Sequence, residues 1–258
     1  IMMHFSDELI TGVKKKSPIV VGIDPNFDLM PSFLRPMSSS DVYEKLFEFS
    51  KIVIEKTSDL VPAVKPQSAY FEQFGLEGIR ALRDTIKLAK DHGLLVILDV
   101  KRGDIGSTSL AYAKSYLSGE TILKEGVRLS SDLEVDCITI NPFLGEDSLQ
   151  PFVDTAIESG KGLFVLVKTS NPGSKMLMDI DHNGVSVSSL LGEKVNGFTQ
   201  SNASFKGRFG YGLVGAVIGA TAIEDAKRLR KLMPNSLFLI PGMGAQGGDL
   251  ETVLSLFN

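Results

Sequence analysis

A single cysteine and three histidines are all that this 258-residue chain offers of the residues that most often build disulfides and metal sites. One cysteine excludes a disulfide within the chain. Cys137 stands inside the strand-like segment Val-Asp-Cys-Ile-Thr-Ile, where a small buried hydrophobe is expected rather than a nucleophile. His4, His92 and His182 are scattered, with no metal-ligand spacing among them. Positive charge is not in excess either: 27 Lys and Arg face 31 Asp and Glu, for a net charge of −4 and a pI near 5.5, so there is no basic field for nucleic acid. No run approaches the roughly 18 apolar residues of a membrane-spanning helix. The N-terminus lacks the basic region, apolar core and small-residue cleavage site of a signal peptide, so a cytoplasmic protein is expected. Internal repeats and low-complexity linkers are absent as well.

What the chain does have is a core. With 43% hydrophobic and 22% charged residues, its composition is that of an ordinary globular enzyme. Apolar runs of β type occur at Ile19–Ile23, Leu60–Lys65, Leu94–Leu98, Cys137–Ile140, Leu163–Val167, Leu213–Val217 and Leu237–Ile240. Helical spacing fills the intervals at Asp41–Thr57, Tyr70–His92 with a break near Gly75, Leu110–Gly126, Asp147–Ser159, Val185–Thr199, Ala222–Leu232 and Gly248–Phe257. Strand and helix alternate throughout, which predicts an α/β fold. A (β/α)8 TIM barrel over residues 1–258 as one domain fits the length, with its eighth strand missing from the C-terminal end of the sequence. An open, doubly wound sheet is the alternative.

The chemistry gathers where the strands end. The run Leu94–Leu98 breaks into Asp99, Lys101, Arg102 and Asp104, and strand alternation predicts that Asp99 and Lys101 share a face. Asp24 follows the first run, and Lys65-Pro-Gln67 closes the second. Lys168-Thr169-Ser170-Asn-Pro-Gly follows the fifth, a turn-like stretch whose hydroxyls and amide suit a polar heterocycle. The seventh runs into Gly242-Met-Gly244-Ala-Gln246-Gly247-Gly and a helix start, a plausible cradle for an anion. Its spacing is not the Walker pattern, but barrels often bind phosphate near their last two strands.

Taken together, Asp24-Pro-Asn, Lys65-Pro-Gln, Asp99-Val-Lys-Arg-Gly-Asp-Ile-Gly-Ser-Thr, Lys168-Thr-Ser-Asn-Pro-Gly and the Gly-Ala-Gln-Gly-Gly loop resemble the orotidine 5′-monophosphate decarboxylases, and among them the longer-chain branch. The resemblance spans nearly the whole chain in order. It implies a (β/α)8 barrel that dimerises with shared active sites and converts orotidine monophosphate to UMP and carbon dioxide without metal or organic cofactor. It further implies a charged array of Lys65, Asp99, Lys101 and Asp104, with Lys101 as proton donor. Asp24 would hold ribose hydroxyls and Gln67 would line the site. Thr169 or Ser170 would contact the pyrimidine, and Gln246 with the Gly244 and Gly247 backbone would hold phosphate. Asp104, Ile105 and Thr108 would reach into the partner's site. One feature departs from the pattern: the family's phosphate-gripping arginine, near the eighth strand, is not found before Asn258. Three other activities use similar residues. These are a metal-dependent sugar-phosphate decarboxylase built on the same skeleton, an aldolase forming a Schiff base at Lys65, Lys101 or Lys168, and a nucleotide-binding protein without turnover.

Overall fold

A computed structural model describes residues 4–201, 205–220 and 223–242, together with Val253 and Leu256. In chain order the elements are α1 (Phe5–Lys15), β1 (Val20–Ile23), α2 (Val42–Thr57), β2 (Ala63–Pro66), α3 (Ala69–Glu72), α4 (Gly75–Asp91) and β3 (Leu95–Arg102). Next come α5 (Gly106–Ala113), a π-helical turn at Lys114–Ser118, β4 (Glu120–Ile122), β5 (Arg128–Ser130), β6 (Cys137–Ile140), α6 (Glu146–Ser159) and β7 (Gly162–Lys168). The last are α7 (Lys175–Met178), β8 (Asp181–His182), β9 (Val185–Ser186), α8 (Val187–Gln200), β10 (Val214–Ile218), α9 (Ile223–Leu232) and β11 (Phe238–Leu239).

All seven apolar runs are strands, hydrogen-bonded in the order β1-β2-β3-β6-β7-β10-β11. The order never reverses. A doubly wound sheet reverses at its switch point, so the winding is that of a β/α barrel. The β1–β2, β2–β3, β7–β10 and β10–β11 pairs are parallel. Every residue of β6, β7 and β10 is buried, which is why these strands read as continuous apolar runs rather than alternating ones.

The chain divides into two compact units. One comprises residues 8–100 and 114–138. In it α2 buries Val42, Leu46, Ser50 and Ile54, each four residues after the last, so one stripe of the helix faces inward. The α4 helix buries Ala81, Leu82, Ile86 and Ala89 in the same way. These two helices pack together, and Tyr43 ties them by donating a 2.7 Å hydrogen bond to Asp84. The other unit comprises the residues up to Asp7, 101–113 and those from 139 onward. Here Phe5 meets Phe164 edge to face, α5 packs on α6, and α8 covers β7 and β10.

Local structure departs from the sequence expectation in two places. The helix expected over Leu110–Gly126 ends early, and a β4–β5 hairpin takes its second half, pairing Glu120 with Ser130 and Ile122 with Arg128. Thr121 and Ile122 favour a strand, and Lys-Glu-Gly126 supplies the turn. The helix expected from Val185 begins at Val187, where the Ser186 hydroxyl accepts from the Ser189 N–H and caps it. The helix α1 carries no expectation at all, and that expected over Gly248–Phe257 lies outside the described residues except at Val253 and Leu256.

Gly215 of β10 leaves no room for a side chain. A Cβ there would stand 2.5 Å from the Leu237 carbonyl oxygen and 2.8 Å from the Phe164 ring. Gly215→Ala is therefore expected to destabilise the protein by about 1–3 kcal/mol, seen as a lower denaturant midpoint at unchanged slope. An unchanged midpoint would contradict this packing.

Candidate active site

One group of candidate site residues lies in the unit of residues 8–100. In the parallel register Gly22 lies opposite Lys65, and Gln67 forms a bridge opposite Asp99. Lys65 and Gln67, two residues apart, share a face, and the bridge puts Asp99 on that face too. Their side chains converge as this predicts. Lys65 Nζ and Gln67 Nε2 each donate to Asp99 Oδ2 at 3.0 Å. Asp99 is 7% exposed, so a carboxylate that burial would penalise is held by one full charge and one amide. Backbone bonds fix the frame: Gln67 N–H donates to the Ile23 carbonyl and Ser68 N–H to the Asp99 carbonyl. Asp24, exposed, follows directly at the end of β1.

A second group of candidate residues belongs to the other unit. Lys101, exposed near the end of β3, has φ +46°, in the left-handed region that a long side chain rarely adopts. Such backbone typically costs about 1–3 kcal/mol and persists where its surroundings enforce it. Here the Lys101 N–H donates to Thr139 Oγ1 at 2.9 Å, from a threonine 1% exposed in β6. The left-handed residue interrupts strand alternation, so the expected shared face of Asp99 and Lys101 does not follow from strand geometry. Two residues on, the Asn141 N–H bonds the Arg102 carbonyl at 2.8 Å. Asp104 Oδ1 accepts from the Ile105 N–H at 2.8 Å, and its carbonyl accepts from Ser109 Oγ, which fixes the entry to α5. Ile105 is 58% exposed, and Thr108 lies exposed in the first turn of α5.

Thr169 and Ser170 leave the end of β7 in the same unit. Thr169 Oγ1 donates to Asn171 Oδ1 at 2.6 Å, and its N–H donates to Met178 Sδ at 3.3 Å. Gly244, Gln246 and Gly247 lie outside the described residues, and the candidate phosphate cradle is described only as far as Gly242, with φ +102°. Among the described residues no group of three or more His, Cys, Asp or Glu could hold a metal ion. Cys137 is fully buried, and burial pushes its thiol well above the ordinary value, which agrees with a structural role.

Sequence reasoning missed Thr139 as a support for Lys101. The available signal was a lone hydroxyl in an otherwise apolar four-residue strand. It also missed Lys168 as anything beyond an aldolase candidate. That residue is buried, and its ammonium is paired with Asp179 and Asp225. An amine engaged by two carboxylates is poorly placed for Schiff-base chemistry.

Removing Lys65 would take a full positive charge from the nearly buried Asp99 carboxylate. Lys65→Met is expected to cost about 3 kcal/mol by urea denaturation, at the low end for a broken buried pair because Lys65 keeps part of its surface in water. Adding Asp99→Asn should recover most of that loss. A harmless Lys65→Met would show that the pair carries no such energy.

Residues 20–253 match the model of the family described as orotidine 5′-phosphate decarboxylase / HUMPS. The chain is 42% identical over 258 residues to orotidine 5′-phosphate decarboxylase of Petrotoga mobilis, covering 98% of this chain and 82% of that protein. It is also 42% identical over 257 residues to the enzyme of the same name from Rhodopirellula baltica, with the same coverage. Among solved structures, the OMP decarboxylase of Leishmania donovani superposes with a TM-score of 0.74 at 33% identity, covering 98% of this chain and 84% of that one. The matched range includes the strand ends that carry Asp24, Lys65, Asp99 and Lys101, and by the extent of the match and these identities the chain belongs to the orotidine 5′-phosphate decarboxylase / HUMPS family.

Proposed function

We propose that this chain is a lyase that decarboxylates orotidine 5′-monophosphate to UMP in pyrimidine biosynthesis, with Lys65, Asp99, Lys101 and Asp104 as its charged array. The observation that carries the assignment is Asp99, nearly buried and held by Lys65 and Gln67, two residues before Lys101 in a chain of this family. In the reaction the bond from ring carbon C6 to the carboxylate breaks and its electron pair stays on C6. Carbon dioxide leaves, and Lys101 delivers a proton to C6 and regains one from water. The carbanion has no adjacent electron sink, so its charge must be met electrostatically. At about 4 Å and an effective dielectric near 20, one charge pair supplies roughly 4 kcal/mol, well short of the roughly 8–23 kcal/mol of typical enzymic acceleration. Binding of the remote parts of the substrate must supply much of the rest, by orienting the base and holding its carboxylate beside Asp99.

The other residues take roles that follow from this. Asp24 holds ribose hydroxyls, Gln67 positions Asp99, and Thr169 and Ser170 meet the pyrimidine. Gln246 with the Gly244 and Gly247 backbone holds phosphate. The protein works as a homodimer, with Asp104, Ile105 and Thr108 completing the partner's site. The exposure of Ile105, Leu110 and Phe143 supports an apolar surface meant to be covered. A single (β/α)8-barrel domain and a cytoplasmic location complete the proposal. No helix among the described residues is long and apolar enough to cross a membrane.

The test is the absorbance change of orotidine monophosphate on adding the protein, with and without chelator. Conversion to UMP should persist in chelator. Lys101→Ala should lower kcat by about a hundredfold to ten-thousandfold, the range of a lost general acid, while UMP affinity changes far less. Equal loss of turnover and UMP affinity would remove Lys101 from the proton-donor role. Chelator-sensitive turnover would favour the metal-dependent relative.

A further inference from the structure

Lys168 is the buried charge that the chemistry above does not use. It closes β7, is 3% exposed, and immediately precedes Thr169 and Ser170. Its ammonium is paired with two carboxylates from different segments. Asp179 ends the loop that begins at Thr169, and Asp225, at 3.4 Å, lies in the first turn of α9. Asp225 also takes a 2.8 Å bond from Arg228. Burial works against ionisation of Asp225, but Arg228 and Lys168 outweigh it and hold the carboxyl below its ordinary value. The backbone repeats the arrangement. The Lys168 carbonyl accepts from the Gly219 N–H at 2.7 Å, just after β10. A Cβ at Gly219 would stand 2.6 Å from the Ser170 nitrogen, so the two strand ends meet at contact distance beside Ser170.

Both the start and the end of the 169–179 loop are thus held by one residue. We propose that Lys168 is a positioning residue that sets the Thr169–Ser170 segment for the pyrimidine, by clamping Asp179 at the loop's end to Asp225 at the start of α9. The inference rests on the proposed role of that segment as the pyrimidine contact. Without the ammonium, Asp179 and Asp225 face each other as like charges, and the loop loses its hold on the strand end. An arginine at the same place keeps the charge and can bond both carboxylates.

The experiment compares the affinities of the full chain for UMP and for ribose 5-phosphate, which lacks the base, by calorimetry. It uses the wild type, Lys168→Met, Lys168→Arg and the surface variant Asp179→Asn, whose partly exposed site spares the fold. Lys168→Met should weaken UMP about tenfold to a hundredfold and leave ribose 5-phosphate within about twofold, the mark of a misplaced base contact. Asp179→Asn should follow in the same direction, and Lys168→Arg should restore most of the affinity. If Lys168→Met does not fold, the same contrast read on Asp179→Asn alone decides. Equal weakening of both ligands, or no change in either in a folded variant, would overturn the proposal. A wild type that binds ribose 5-phosphate but gains nothing from the base would overturn the pyrimidine role of the loop and this inference with it. Normal UMP affinity in both folded variants would overturn the inference alone.

Discussion

Asp99 accepts two hydrogen bonds on one carboxylate oxygen in a nearly dry place, and the strand ends around it are arranged to make that tolerable. A buried carboxylate without partners would cost several kcal/mol. Lys65 and Gln67 can reach it together because they lie two residues apart on one strand, with Gln67 in register against Asp99. The requirement extends outward. The apolar stretch from Val96 to Leu98 anchors β3 in the core, and the backbone bonds of Gln67 and Ser68 fix how its end meets its neighbours. Stability is therefore invested at the point where the proposed chemistry needs rigidity.

Lys101 sits differently. Its left-handed backbone is a local cost accepted in a segment that Thr139 holds from β6. On its proposed role as proton donor, Lys101 gains from this pinned backbone, since its position does not have to be found anew in each turnover. The segment after it, through Asp104 into α5, carries the exposed apolar residues Ile105 and Leu110.

The seven strands of the sheet were legible in the sequence because each is a short apolar run buried on both faces, and continuous hydrophobicity is the strongest local signal a strand can carry. Lys65 and Asp99 were each legible as strand-end charges, because charge appears only where those runs stop, but their pairing was not readable from the runs themselves. The β4–β5 hairpin was not, since its three-residue strands are largely exposed and carry no core pattern, while the preceding helix reads on without a clear stop. Nor was the left-handed Lys101, because only glycine or asparagine would have announced positive φ. The Lys168 clamp was invisible for a further reason. Its partners Asp179 and Asp225 are distant in the chain, and Lys168-Thr-Ser-Asn-Pro-Gly by itself is a turn.

The claim that an Asp99-centred array drives protonation of a ring carbanion is tested most directly by turnover in heavy water. Orotidine monophosphate is converted by the full chain in D2O and the UMP is examined by proton NMR. The account requires one deuterium at C6 of the pyrimidine, delivered by the exchanged ammonium of Lys101, with the C5 hydrogen untouched. Product carrying hydrogen at C6, or deuterium at C5 from an addition across the ring, would contradict it.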